Sequence, residues 1–242
     1  MPNIMYELTM PATAKLDEVV DPFSALRRAA LLLPARSVSP LRILGPEDIK
    51  LAAADTSELG RLIFSLEKRI GVNYSRQGVP SVSTGIRQDE IIEIQPSRVV
   101  GFTVRPGFES SDFDCYVAEY PVSVAVTGRG DAAHRSFDLP TGLSGWQNED
   151  CCVTGGKDSS LVDFLISHLA VLALLDTVEG FGVAVKVSDA GGYWREKSLA
   201  YLISVFPGTN PNWVDHAEHL ESLRNLAELT FAADPEIIPA GG

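Results

Sequence analysis

Cysteine is scarce in this chain: Cys115, Cys151 and Cys152 are the only three in 242 residues, and two of them are adjacent. Three thiols cannot build a disulfide framework, and the lack of a Cys-x-x-Cys pair removes the usual structural zinc pattern. Positive charge is also short, with 20 Lys and Arg against 32 Asp and Glu and a formal net charge of −12. With no basic stripe, phosphate-backbone contacts cannot drive nucleic-acid binding, and an anionic membrane surface is disfavoured. The longest apolar run, 161–175, is interrupted by Asp163, Ser167 and His168. That run is too short and too polar to span a bilayer. The opening Met1-Pro2-Asn3-Ile4-Met5-Tyr6-Glu7 carries no basic region followed by an apolar core, so no signal peptide is expected and a reducing cytoplasm fits best. No Gly-x-Ser-x-Gly elbow is present, since Gly142-Leu143-Ser144-Gly145-Trp146 ends wrongly. A standard phosphate-loop motif is excluded too, because Cys151 stands where its first glycine would have to be, ahead of Gly156.

What is present describes a folded protein. Apolar residues make up 45% and charged residues 21%, enough for a full core and against wholesale disorder. The acidity is uneven: residues 1–120 hold 13 basic and 16 acidic groups, whereas 121–242 hold 7 and 16. Such acidity serves solubility, and it also offers a face for a basic protein partner. No repeat or low-complexity tract divides the chain, which reads as one domain with a soft division near 140.

The pattern along the chain predicts a strand over 4–10, and then a helix over 23–33 started by Asp21-Pro22 and stopped by Pro34. Residues 34–46, with three prolines, read as a loop. Asp55 and Glu58 form a capping-box-like pair before Leu59, Leu62, Ile63, Leu66 and Ile70, with Gly71 as the stop. From 72 to 140 short segments rich in Val, Ile, Phe and Tyr (90–95, 98–105, 114–120, 122–127) predict an antiparallel meander, with a turn over 127–134. The last third reads as helical. Asp158 or Ser159 caps an apolar helix to about Val178, with Gly180 beyond its end. A strand over 183–187 follows, then helices over 194–206 and 213–231 and a loose tail from 235. The expected fold is α+β, a mostly antiparallel sheet with packed helices and a helical C-terminal third.

One stretch has the look of chemistry. Glycines at a helix N-terminus expose backbone N–H groups at the positive end of the helix dipole, a ready anion site. The run Thr154-Gly155-Gly156-Lys157-Asp158-Ser159-Ser160 resembles the Ser-Gly-Gly-x-Asp-Ser signature of the PP-loop ATP pyrophosphatases. The resemblance implies that Gly155, Gly156, Ser159 and Ser160 hold the pyrophosphate of ATP, with Lys157 alongside and Asp158 shaping the loop, while a substrate oxygen is adenylated. Against it stand Glu149 and Asp150 just upstream, which oppose a polyphosphate, and the few strands left to follow.

A broader pattern runs through Gly145-Trp146, Cys152-Val153-Thr154, His168-Leu169, Leu174-Leu175-Asp176 and Val187-Ser188-Asp189-Ala190-Gly191-Gly192-Tyr193-Trp194. It is similar to the C-terminal part of an uncharacterised group of bacterial proteins of unassigned function, and under that resemblance the Gly-Gly pair is incidental.

The remaining candidates are plainer. Residues 189–194 read as a strand-to-helix turn in which Tyr193 and Trp194 cover the core, and as the best partner for 154–160 if both lie at one end of the sheet. His168 reads as a hydrogen-bonded core residue, too far along its helix from the Gly-Gly loop to act there. His216 and His219 share a helix side near Asp215 and Glu218, but packing explains them better than a metal. Cys152 near a helix N-terminus could be activated, yet no histidine is sequence-linked to it, and a small buried residue is the simpler account. The sequence therefore predicts a non-catalytic cytoplasmic module that binds a protein partner through its acidic half, without metal or cofactor. The alternative is a PP-loop-type enzyme using ATP and Mg through 154–160, and a third reading is a small-ligand pocket between 142–158 and 188–194.

Overall fold

The computed structural model describes residues 3–54, 56–83, 88–107, 110–129, 134–139, 143–155 and 160–205. Ile4, Tyr6 and Leu8 alternate along β1 (Asn3–Thr9) and bury one of its faces. The helix that follows, α1 (Leu16–Ala30), starts before the expected Asp21-Pro22 cap and ends before Leu33. A Glu18 carboxylate oxygen accepts the Lys15 amide at 2.8 Å and closes its N-terminus, so Pro22 lies inside the helix. Val19, Phe23, Leu26 and Ala30 form a fully buried stripe. That burial outweighs the one backbone hydrogen bond a proline removes.

The expected loop over 34–46 instead holds β2 (Ser37–Val38) and β3 (Arg42–Leu44) and leads into α2 (Pro46–Ala53). Helix α3 (Glu58–Ser65) is capped by Ser57, whose Oγ accepts the Gly60 amide at 3.2 Å. The expected cap, Asp55, lies outside the described residues. Ile70 and Gly71, expected as the end and stop of that helix, lie in β4 (Lys68–Tyr74). Past Leu66 the apolar spacing changes from helical to alternating, with Ile70 and Val72 buried, and β4 pairs with both β5 (Pro80–Ser83) and β6 (Glu90–Ile94).

The expected meander is present as β7 (Arg98–Arg105) and β8 (Phe113–Tyr120), with β9 (Ser123–Val126) paired to β10 (Arg135–Asp138) in a separate ribbon. A strand that the sequence did not reveal, β11 (Gly145–Val153), follows. Then come α4 (Leu161–Gly180), β12 (Ala184–Asp189), α5 (Tyr193–Glu196) and α6 (Leu199–Ser204). The single helix expected over 194–206 is two short ones, separated at Lys197, which adopts φ 50°.

The fold is α+β, its sheets antiparallel throughout the described residues. The large sheet runs β12-β1-β11-β8-β7-β2, with β3 also on β7. Because β1 is antiparallel to both β11 and β12, those two strands share a direction, and α4 connects them across β1. One face of this sheet packs on α1 and α4, burying Phe102, Phe113, Val117 and Trp146. The other face packs Val99, Tyr116, Ala118 and Tyr120 against α2, α3 and the β4 sheet through Ile49, Ile63 and Ile70.

The cap of α4 is Ser160, one or two residues later than expected; its Oγ accepts the Asp163 amide at 3.1 Å. By length and composition α4 could cross a membrane, with a mean hydropathy of 1.9. In the fold it is a core helix, buried through Phe164, His168, Val171, Leu175 and Val178. The helix expected over 213–231, with His216 and His219, lies outside the described residues.

Candidate functional site

The register of the sheet brings two distant loops together. Asn3 pairs with Val153 and Ile4 with Asp189, so the last residues of β11 and β12 leave the sheet at the same end. Helix α4 crosses beneath them, and His168 faces both. Thr154 Oγ1 and His168 Nδ1 are 2.8 Å apart, and His168 Nε2 lies 3.1 Å from Asp189 Oδ1. The second contact is electrostatic: the ring nitrogen is off the line that a full hydrogen bond needs and has no aligned partner. Asp189 also accepts the Gly191 amide at 2.6 Å and the Trp194 amide at 2.9 Å. Burial pushes its pKa up, but the His168 contact and the two amides outweigh that and hold it below the usual carboxylate value.

Threonine, histidine and aspartate are the residue types of nucleophilic hydrolysis. Here they are sealed. Thr154 is 1% exposed and His168 is fully buried, and a methyl added at Gly191 would sit 2.8 Å from the imidazole Cε1. No substrate atom can reach the threonine hydroxyl in this arrangement. The cluster ties the end of β11 and the 189–194 turn to α4, a structural clasp in which Thr154 meets His168 Nδ1 while His168 Nε2 faces Asp189 without an aligned hydrogen bond. His168 is thus the buried, bonded residue the sequence implied, although it does reach the start of the Gly-Gly run. Strand β11 returns over the first turns of α4, which brings Thr154 back to it.

The other expected site residues divide. Gly155 is buried, and a methyl there would lie 3.1 Å from the Phe164 ring, so close packing on α4 accounts for a glycine. Ser160 is the helix cap, and its hydroxyl also donates to Asp163 Oδ2 at 2.7 Å. Gly156, Lys157, Asp158 and Ser159 lie outside the described residues. Strand β11, which enters Thr154, is antiparallel to both β1 and β8, whereas the PP-loop resemblance implies a parallel strand there. Tyr193 is buried, and both it and Trp194 pack on the core, as the turn reading implied. Cys152 is buried beside Ser111, and burial pushes its thiol up to about 12, which keeps it protonated and unreactive near neutral pH.

Two open clefts are present among the described residues: one of about 600 Å³ along the outside of the 189–194 turn, lined by Asp189, Arg195 and Glu196, and one of about 440 Å³ between α3 and the β7–β8 pair. The floor of the latter continues the second face of the large sheet past its apolar part. Facing rows there are Gly101 with Tyr116 and Thr103 with Asp114, and Arg105 and Asp112 follow. Thr103 Oγ1 donates to Asp114 Oδ1 at 2.7 Å and lies 3.3 Å from the Tyr116 hydroxyl. Burial raises the pKa of Asp114, which the Thr103 hydrogen bond only partly offsets. At the mouth Asp112 accepts two hydrogen bonds from Arg105, at 2.7 and 2.8 Å. Arg42 from β3 and Arg61 from α3 also line the cleft, and neither side chain has a hydrogen-bond or ion-pair partner among the described residues.

Sequence reading missed this cleft because Arg42, Glu58, Arg61, Thr103 and Asp114 come from four elements and share no local spacing. The one available signal was the polar pair Thr103 and Asp114 within strands otherwise apolar on that face. Among the described residues no group of His, Cys, Asp and Glu is placed to hold a metal ion. No protein family, curated protein or solved structure matches the chain.

Proposed function

We propose that the protein is a non-catalytic binding module. The observation that supports this is a contrast in access among the described residues: Thr154 and His168, which with Asp189 have the residue types of nucleophilic chemistry, are sealed, while the cleft beneath α3 is open and lined by Arg42, Arg61 and Asp114. A guanidinium fixes and orients an anionic group but supplies no nucleophile or proton shuttle. In this reading the module also meets a basic protein partner through its acidic second half, where Glu149, Asp176, Glu179 and Glu196 are exposed.

Two measurements test it. A fluorophosphonate, which labels activated hydroxyl nucleophiles, should add nothing to Thr154 in the native chain by intact mass. A stoichiometric adduct that disappears in Thr154→Val would make the cluster catalytic. Calorimetric titration with Mg·ATP should give no heat; micromolar binding lost in Gly156→Asp would replace this reading with the PP-loop alternative.

A further inference from the structure

We propose that the cleft between α3 and the β7–β8 pair binds a small zwitterion of the amino-acid type, its carboxylate on Arg42 and Arg61 and its ammonium toward Asp114 and Glu58. The proposal rests on the binding reading above and names the ligand class. The first ground is size. About 440 Å³ lies within the range of small-ligand sites and is far too little for a folded partner.

Charge is the second ground. The chain has few cations, yet three arginines line this one cleft. Arg105 is held by Asp112, and the Arg42 and Arg61 side chains have no ion-pair partner among the described residues. Two carboxylates answer them. Asp114 gives one oxygen to Thr103, and its other oxygen has no partner among the described residues. Glu58 forms no ion pair within 4 Å there, although Arg61 stands one turn along the same helix. Two positive and two negative side chains without ion-pair partners among the described residues leave the cleft lining neutral but charged. A simple phosphate or dicarboxylate would be repelled by Asp114 and Glu58, and a polyamine by the arginines. A ligand carrying one charge of each sign satisfies both sets.

A third ground is that the cleft is costly to the fold. A carboxylate placed where burial disfavours its charge, with a single hydroxyl as donor, lowers stability, and such groups persist where they serve a site. The floor is also narrow where it must be. Gly101 lies against the Tyr116 ring, and a methyl there would come within 2.6 Å of it, so the phenol stays at the base of the cleft.

The test is calorimetric titration of the full chain with each of the twenty standard amino acids, followed by the hydroxy acid and the primary amine matching the best binder. At least one amino acid should bind, with both matched controls at least tenfold weaker. Arg61→Gln should weaken binding at least tenfold and leave the melting temperature of the unliganded protein in place, because Arg61 is exposed and holds nothing. Arg42→Gln should weaken binding likewise. No binding by any amino acid up to millimolar concentration overturns the proposal, as does equal affinity for the hydroxy acid, or unchanged affinity in the Arg42→Gln/Arg61→Gln double variant. Mass analysis of the recovered ligand separates the two readings: a chemically altered amino acid defeats the non-catalytic reading and leaves the cleft in place, whereas arginine-independent binding of intact ligand does the reverse.

Discussion

Asp189 and Asp114 are both drawn away from water, yet their surroundings treat them in opposite ways. Asp189 sits in the clasp with His168 and two backbone amides aimed at it, and its pKa is lowered. Asp114 lines the open cleft with one hydroxyl donor, and its pKa is raised. The same residue type thus marks a structural tie in one region and a poorly supplied carboxylate in an open cleft in the other. What separates them is the number of donors supplied to the charge and the access left to an outside ligand.

The clasp side of this comparison can be broken most severely. His168→Ala should cost about 3–5 kcal/mol, because it leaves Asp189 buried without its main counter-group and opens a cavity in α4. In a chain of this size that is a fall in melting temperature on the order of 10 °C, read by calorimetry. A loss under about 1 kcal/mol would mean that the two amides alone hold Asp189. Next in size is Gly191→Ala, whose new methyl would meet Leu202 Cδ1 at 2.7 Å and the imidazole at 2.8 Å. Overpacking of this kind costs about 1–3 kcal/mol by denaturant titration.

The two aspartates should also differ in sign with pH. A lowered folded-state pKa gives Asp189 a stabilising contribution that is complete above the unfolded value of about 3.9 and is lost as pH falls through the folded one. A raised pKa gives Asp114 the reverse: its ionised form costs stability at neutral pH, and the cost fades as pH falls through the raised value toward about 3.9. Asp114→Asn should therefore melt above the unsubstituted protein at pH 7, and the gap should close as pH approaches 4. A gap that widens on acidification would reverse the assignment of Asp114 as the strained carboxylate. The smallest effect belongs to the rim. Arg105→Gln removes a half-exposed, two-bond pair with Asp112 and should cost no more than about 1 kcal/mol, reduced further in high salt.

Much of the fold was readable from local pattern. Ile4, Tyr6 and Leu8 alternate as a half-buried strand must, β7 and β8 carry the Val, Phe and Tyr enrichment of paired strands, and the apolarity of 161–175, broken only by Asp163, Ser167 and His168, announced a helix covered on most sides. The errors came where two signals competed. Pro22 looked like a helix start because a proline is easiest there, yet four buried side chains along α1 carry the helix through it. Strand β11 was hidden because Gln147, Asn148, Glu149 and Asp150 form a polar run without the apolar alternation of a strand, although Gln147 and Asn148 are buried in the sheet. The 189–194 turn was expected beside 154–160 and the register places it there, but His168 was read as too far along its helix, and nothing in the spacing says that it joins Thr154 to Asp189.

The sequence by itself determined the class of this protein: an acidic α+β chain with one apolar central helix, without a zinc pattern, a serine elbow or a basic stripe. Those properties are sums and periods, so they can be read residue by residue. The tertiary structure alone decided which polar groups are silent and which are free. Only the antiparallel register that sets Ile4 beside both Cys152 and Asp189 seals Thr154 under the clasp, and only the packing of α3 over the β7–β8 pair gathers Arg42, Arg61 and Asp114 in one cleft. The physical reason is that desolvation and charge pairing depend on distances between residues far apart in the chain, which no local spacing records.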